Sequence, residues 1–91
     1  MTDLLTILQQ RGSRYGSFAD NARISQRLEA VCVSEPGWER LSDVQREAIK
    51  LIFMKLSRAL SGDPTYPDNF HDVAGFAQLV VNDLTTRQKA P

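Results

Sequence analysis

LSDVQREAIKLIFMKLSRALSGDP, the stretch from Leu41 to Pro64, decides the fold. Ser42-Asp43-Val44-Gln45 fits a capping box, in which a serine hydroxyl and a glutamine three residues on satisfy free backbone N–H groups. Leu41 and Arg46 hold the two staple positions around that cap, Arg46 through its stem alone. Val44, Ala48, Leu51, Ile52, Leu56 and Ala59 then recur at helical spacing and form a broad apolar face. Ser61-Gly62 ends the run, and Asp63-Pro64 prevents its continuation. The spacing predicts a helix over about 42–61.

Similar signals bound the flanking segments. Upstream, Ser17 caps a helix over about 17–33, with Asp20 completing a weak capping box. Ile24, Leu28, Val31 and Cys32 form its apolar stripe, and Ser34-Glu35-Pro36-Gly37 breaks it. Trp38 and Leu41 are expected to fold back on the core. A short helix over 2–10, capped by Thr2 or Asp3 and stopped by Gly12, precedes the turn-rich stretch Arg11 to Gly16. Downstream, the loop Asp63 to Pro67 leads to a helix over about 68–86, starting at Asp68 or Asn69. Phe70, Val73, Ala74, Ala77, Val80, Val81 and Leu84 are its expected buried face. Phe76 and Leu79 carry apolar character to a second side, which suits a helix placed centrally or at a dimer contact. No segment sustains period-two alternation. The expected fold is therefore all-α: a compact bundle of about four helices, one domain over 1–91, with no sheet.

Composition narrows the function classes. Eleven basic and eleven acidic residues give zero formal charge. Nucleic-acid binders draw most of their non-specific affinity from a basic surplus, so nucleic acid is not an expected partner. Arg11, Arg14, Arg23 and Arg27 are diluted by Asp20 and Glu29. No window nears the ~20 apolar residues that span a bilayer, so no membrane role is expected. Cys32 is the single cysteine, which excludes an intrachain disulfide. With no signal-like start, the expected setting is the cytoplasm.

The chemistry-bearing residues cluster late in the chain. At 100° per residue, Lys55 falls inside the apolar face of its helix, between Val44, Ala48, Leu51 and Ala59. An ammonium there must snorkel or meet a carboxylate. Arg58 follows at i+3. Asp68, Asp72, Gly75 and Leu79 share a stripe on the last helix, and Gly75 leaves room for a close helix approach. Lys55, Arg58, Asp68 and Asp72 thus form a candidate charged cluster, most simply ion pairs with a cap at Asp68. In the alternative, Asp63, Asp68 and Asp72 hold Mg²⁺ while Lys55 and Arg58 hold a phosphate. His71, the lone histidine, reads as a surface or capping residue, and Cys32 as a buried structural thiol. No catalytic constellation is complete.

A resemblance adds to this reading. Tyr15-Gly16-Ser17-Phe18-Ala19-Asp20-Asn21-Ala22, then Trp38, then Leu41 to Ala48, then Lys55 with Arg58, then Gly62-Asp63-Pro64, then Asp68 to Phe76 follow in order. Over about residues 15–82 the pattern resembles a family of small phage and prophage proteins of unestablished function. That family is distantly similar to the all-α, MazG-like nucleoside-triphosphate pyrophosphohydrolases, which bind Mg²⁺ through paired acids. The resemblance offers Glu29, Asp68 and Asp72 as metal ligands. Gln26 stands where the first glutamate of E-x-x-E would be, and Asp68 and Asp72 lie four apart instead of three. The acidic set is incomplete, so the chain is read first as a non-enzymatic accessory protein. It needs no cofactor in this reading and works through a protein partner or self-association. An Mg-dependent nucleotide-binding or pyrophosphohydrolase-like protein is the alternative.

Overall fold

The structure, a computed structural model, describes residues 3–89. It is an all-α bundle: α1 (Leu4–Tyr15), α2 (Phe18–Ser34), α3 (Asp43–Ser61) and α4 (Pro67–Lys89), with a 3₁₀ turn at Pro36–Arg40 between α2 and α3. Among the described residues there is no strand.

Local chemistry sets the boundaries. The Ser42 hydroxyl accepts from Gln45 N (3.2 Å) while Gln45 Oε1 accepts from Ser42 N (2.8 Å), which completes the capping box. Arg46 does more than lay its stem on the staple. Its Nε and Nη2 both donate to the Trp38 carbonyl (3.2 and 3.0 Å), and its guanidinium sits 5.7 Å from the Trp38 ring centroid. Ser17 caps α2 by accepting from Asp20 N at 3.1 Å. Asp3 caps α1 by accepting from Thr6 N at 2.8 Å; Thr2, the other candidate cap, lies outside the described residues.

Two boundaries differ from expectation. Gly12 does not stop α1, because one interior glycine costs a helix only about 1 kcal/mol. The stop is Gly16, at φ 79°, whose N–H closes on the Gly12 carbonyl at 2.8 Å. With ψ at −177°, Gly16 occupies a backbone region that essentially only glycine enters, which lets the chain leave the helix there. α4 begins one residue before Asp68, with Pro67 in its first turn, where a missing N–H costs nothing. Asn69 is therefore no cap. It lies in the first turn, 2% exposed, and its Nδ2 has no hydrogen-bond partner.

α3 is the axis of the bundle. α2 packs along one side of it and α4 along another, while α1 touches only its C-terminal end. Ion pairs and hydrogen bonds fix the directions: α2 meets α3 at Lys50 and Ser61, and α4 meets it at Lys55. At 100° per residue these contacts leave an arc of α3, centred on Leu56 and Ile49, that points directly at neither neighbour and is half-buried. The three helices thus form one layer. Among the described residues the buried side chains are few, with Ala48 the apolar one and Ser57 and Asn69 the polar ones. The bundle is long, 55 × 29 × 22 Å, with a radius of gyration of 15.9 Å. A globular chain of this length has about 12 Å.

The apolar stripe of α4 consequently turns away from α3. Val73, Phe76, Val80 and Asp83 are partly covered, whereas Phe70 (52% exposed), Ala74, Ala77, Val81 and Leu84 lie open. The expected burial of Phe70, Ala74, Ala77, Val81 and Leu84 is corrected accordingly. A single layer can cover only the edge of each helix that points along the layer. Val44 of α3 and Val31 of α2 are exposed as well.

Candidate functional site

Lys55 and Asp72 are the two members of the charged cluster that meet. Lys55 Nζ lies 2.9 Å from Asp72 Oδ2, with the lysine side chain 14% exposed and the aspartate 48%. The lysine stem lies along the α3–α4 seam and its ammonium reaches a half-solvated carboxylate, so snorkelling and pairing are both satisfied.

Arg58 does not join them. Its guanidinium lies 4.7 Å from the Tyr15 ring centroid, across the α1–α2 turn. Asp68 serves the Tyr66 phenol: hydrogen bonding to Asp68 first, then to the Tyr15 hydroxyl, raises the Tyr66 pKa above its ordinary value. Asp63 accepts from both the backbone N and the hydroxyl of Thr65 (2.9 and 2.6 Å), and these bonds hold its pKa below the usual carboxylate range. Glu29 pairs with Lys50 at 3.4 Å. Glu29, Asp63, Asp68 and Asp72 therefore do not converge, and among the described residues no three His, Cys, Asp or Glu side chains gather as metal donors. The reason is local: each acid has a nearer donor within its own loop or on the facing helix. His71 is exposed and Cys32 half-buried.

Gly75 is not a point of close approach either, since a Cβ added there would meet nothing within 4 Å. The close approach lies at the other pair of glycines. A Cβ on Gly16 would fall on Ser61, its hydroxyl and its carbonyl, and one on Gly62 would fall on the Arg14–Gly16 backbone. Asp63 N donates to the Arg14 carbonyl at 2.9 Å. Asn21 Nδ2 donates to the Tyr15 carbonyl at 2.7 Å. Ser61 Oγ lies 2.8 Å from Asn21 Oδ1, 3.0 Å from the Ser57 carbonyl and 3.2 Å from the Tyr15 carbonyl. Around this knot Arg11 and Arg58 lie against Tyr15, Arg14 lies against Tyr66, and the two tyrosine rings meet edge-on at 5.8 Å. Sequence reasoning missed the pairing of Gly16 with Gly62. The available signal was a glycine at the end of each of two helices, with Asn21 and Ser61 close by in each.

Two grooves flank α3 on opposite sides. One, between α2 and α3, is lined by Phe18, Ala22, Glu29, Lys50, Met54 and Arg58 among others, with a volume of about 340 Å³. Charged groups line it. The other, between α3 and α4, holds about 270 Å³ and is lined by Leu41, Gln45, Ala48, Ile49, Ile52, Ala77 and Val80. No ionisable side chain contributes to it. On the same side lie Phe53 and Leu56 of α3, the exposed Leu60, and the open stripe of α4. This uncharged face is open to solvent along α4.

No helix of the described residues is long and apolar enough to cross a membrane. Comparison with known protein families, with curated proteins and with solved structures finds no match.

Proposed function

We propose that this chain is a binding module without catalytic chemistry of its own, acting through protein–protein contacts made by the uncharged face of the α3–α4 layer. One observation carries the reading: the apolar stripe of α4, which the sequence marks for burial, lies open beside an equally uncharged groove. Stable domains bury such stripes between two layers, and this chain supplies one. Large contiguous patches of exposed apolar surface mark interaction sites. A role as a small accessory protein of phage or prophage type, suggested by the order of the sequence motifs, belongs to the same proposal. The nucleotide alternative gains nothing from the charged cluster, because Lys55 is engaged by Asp72 and Arg58 by Tyr15.

A photo-crosslinking amino acid placed at position 77, in the groove, and at position 79, on the opposite side of α4, tests this in cells. Protein adducts are expected from position 77 and not from 79. Loss of all protein adducts at position 77 would sink the reading.

A further inference from the structure

Resting on that reading, we infer that the occupant of the uncharged face is a second copy of this chain, seated across a two-fold axis. The surface area argues for it first. The chain exposes 6677 Å², whereas a folded monomer of 10.2 kDa exposes about 5,300 Å² by general scaling, an excess of roughly 1,400 Å². A standard interface removes about 800 Å² from each partner, and obligate dimers remove more. The excess is of the size a stable dimer needs.

Charge argues for it second. A two-fold interface uses the same patch on both partners, so a patch of one sign would oppose itself, whereas an uncharged patch matches itself with no charges to arrange. The arc of α3 through Ile52, Gln45, Leu56, Ile49, Leu60 and Phe53 carries no ionisable group. Neither does the arc of α4 that holds Phe70, Val73, Ala77, Val80, Val81 and Leu84. The opposite side of the layer presents Glu29, Lys50 and Arg58 in its groove, and it offers no such neutral self-match.

Shape gives the register. The groove lies at the N-terminal end of α3, and its apolar projections lie at the other end: Leu60 (70% exposed) and Phe70. A two-fold axis near Leu56 sets the Leu60–Phe70 end of one copy over the Ile49–Ala77 groove of its mate, and reciprocally. The result is a core of two α3 and two α4 helices with α2 outside, the second layer that one chain lacks.

Sedimentation equilibrium on the whole chain, with circular dichroism to read helix content, tests the assignment. The wild type is expected to be dimeric at micromolar concentration. Ala77→Glu and Leu60→Glu should each weaken association at least ~100-fold, because each puts an unpaired carboxylate into the apolar contact. Leu60 is mostly solvent-exposed in the single chain, so Leu60→Glu keeps its helices even if Ala77→Glu does not. Leu79→Glu, also exposed but on the far side of α4, should leave the dimer intact. A helical wild type that stays monomeric at high concentration overturns the inference, as does a dimer broken by Leu79→Glu and not by Leu60→Glu. A monomer whose position 77 still traps a different protein rejects the second copy while leaving the binding-module reading standing. An absence of adducts at position 77 rejects that reading itself.

Discussion

The knot at the C-terminal end of α3 and the face along its middle solve opposite problems. At the knot, the Gly16–Ser17 turn and the Ser61–Gly62 helix end approach until only glycine fits, and every polar group named there has a partner inside the chain. Along the face, ordinary side chains stand at ordinary distances, half-covered on α3 and open along α4. The knot specifies how the helices connect while burying little apolar area. The face carries apolar side chains along α4 that nothing within the described chain covers. Stability that comes from exact geometry and stability that comes from area are here separated in space, so substitutions can address one without the other.

The largest effect is expected at Gly16. Its φ of 79° is a conformation side chains rarely adopt, and an added Cβ would overlap Ser61. Gly16→Ala should cost about 3 kcal/mol, the sum of positive-φ strain and a backbone clash that cannot relax. Gly75→Ala is the matched opposite. It sits in open space on α4, and alanine there should raise stability by about 0.5–1 kcal/mol through helix propensity alone. Urea denaturation of both variants reads the difference. Equal effects would mean that the Gly16–Gly62 approach is not formed in solution.

Asn21→Ala strikes the same knot more gently. It removes a donor to the Tyr15 carbonyl and the acceptor nearest the Ser61 hydroxyl. Both groups keep a second partner, since Ser61 Oγ also lies within reach of the Tyr15 and Ser57 carbonyls. About 1–2 kcal/mol should be lost, the cost of one part-buried amide whose partners are half rescued. The same denaturation curves decide it, and an unchanged midpoint would show that the glycine contact alone holds the turn.

The same division explains what could be read from the sequence. Caps, breakers and periodicity are local, so the four helices, the Ser42–Gln45 box and the Ser17 cap were legible. The α1 end at Gly16 was not, because Gly12 and Gly16 offer equal local signals and only the contact with Ser61 chooses between them. Periodicity also says which side of α4 is apolar without saying what covers it. Phe70, Ala77 and Val81 were read as buried, yet the helix turns Asn69, Val73 and Phe76 toward α3. Of the charged cluster, the pairing of Lys55 with Asp72 was visible as a lysine trapped on an apolar stripe with acids on the next helix. The departure of Arg58 to Tyr15 joins positions 43 residues apart in sequence, and no spacing rule reports it.

Lys55 lies on the seam between the two regimes and should show the smallest effect. Were its ammonium and a carboxylate both fully buried, Lys55→Met would strand a charge and cost about 3–5 kcal/mol. Here Asp72 keeps 48% of its side-chain exposure, so water can solvate it once the lysine is gone. Exposed or half-exposed pairs contribute up to about 1 kcal/mol. Methionine replaces the packing of the lysine stem along α3 and α4 and returns part of that. Lys55→Met should therefore lower stability by less than about 1 kcal/mol. Asp72→Asn, which leaves the less exposed partner uncompensated, should cost more than Lys55→Met, because the 14%-exposed ammonium has the poorer access to water. Urea midpoints of the two single variants rank them. The reverse order would show that the ammonium swings free into solvent, placing the seam with the open face instead of the knot.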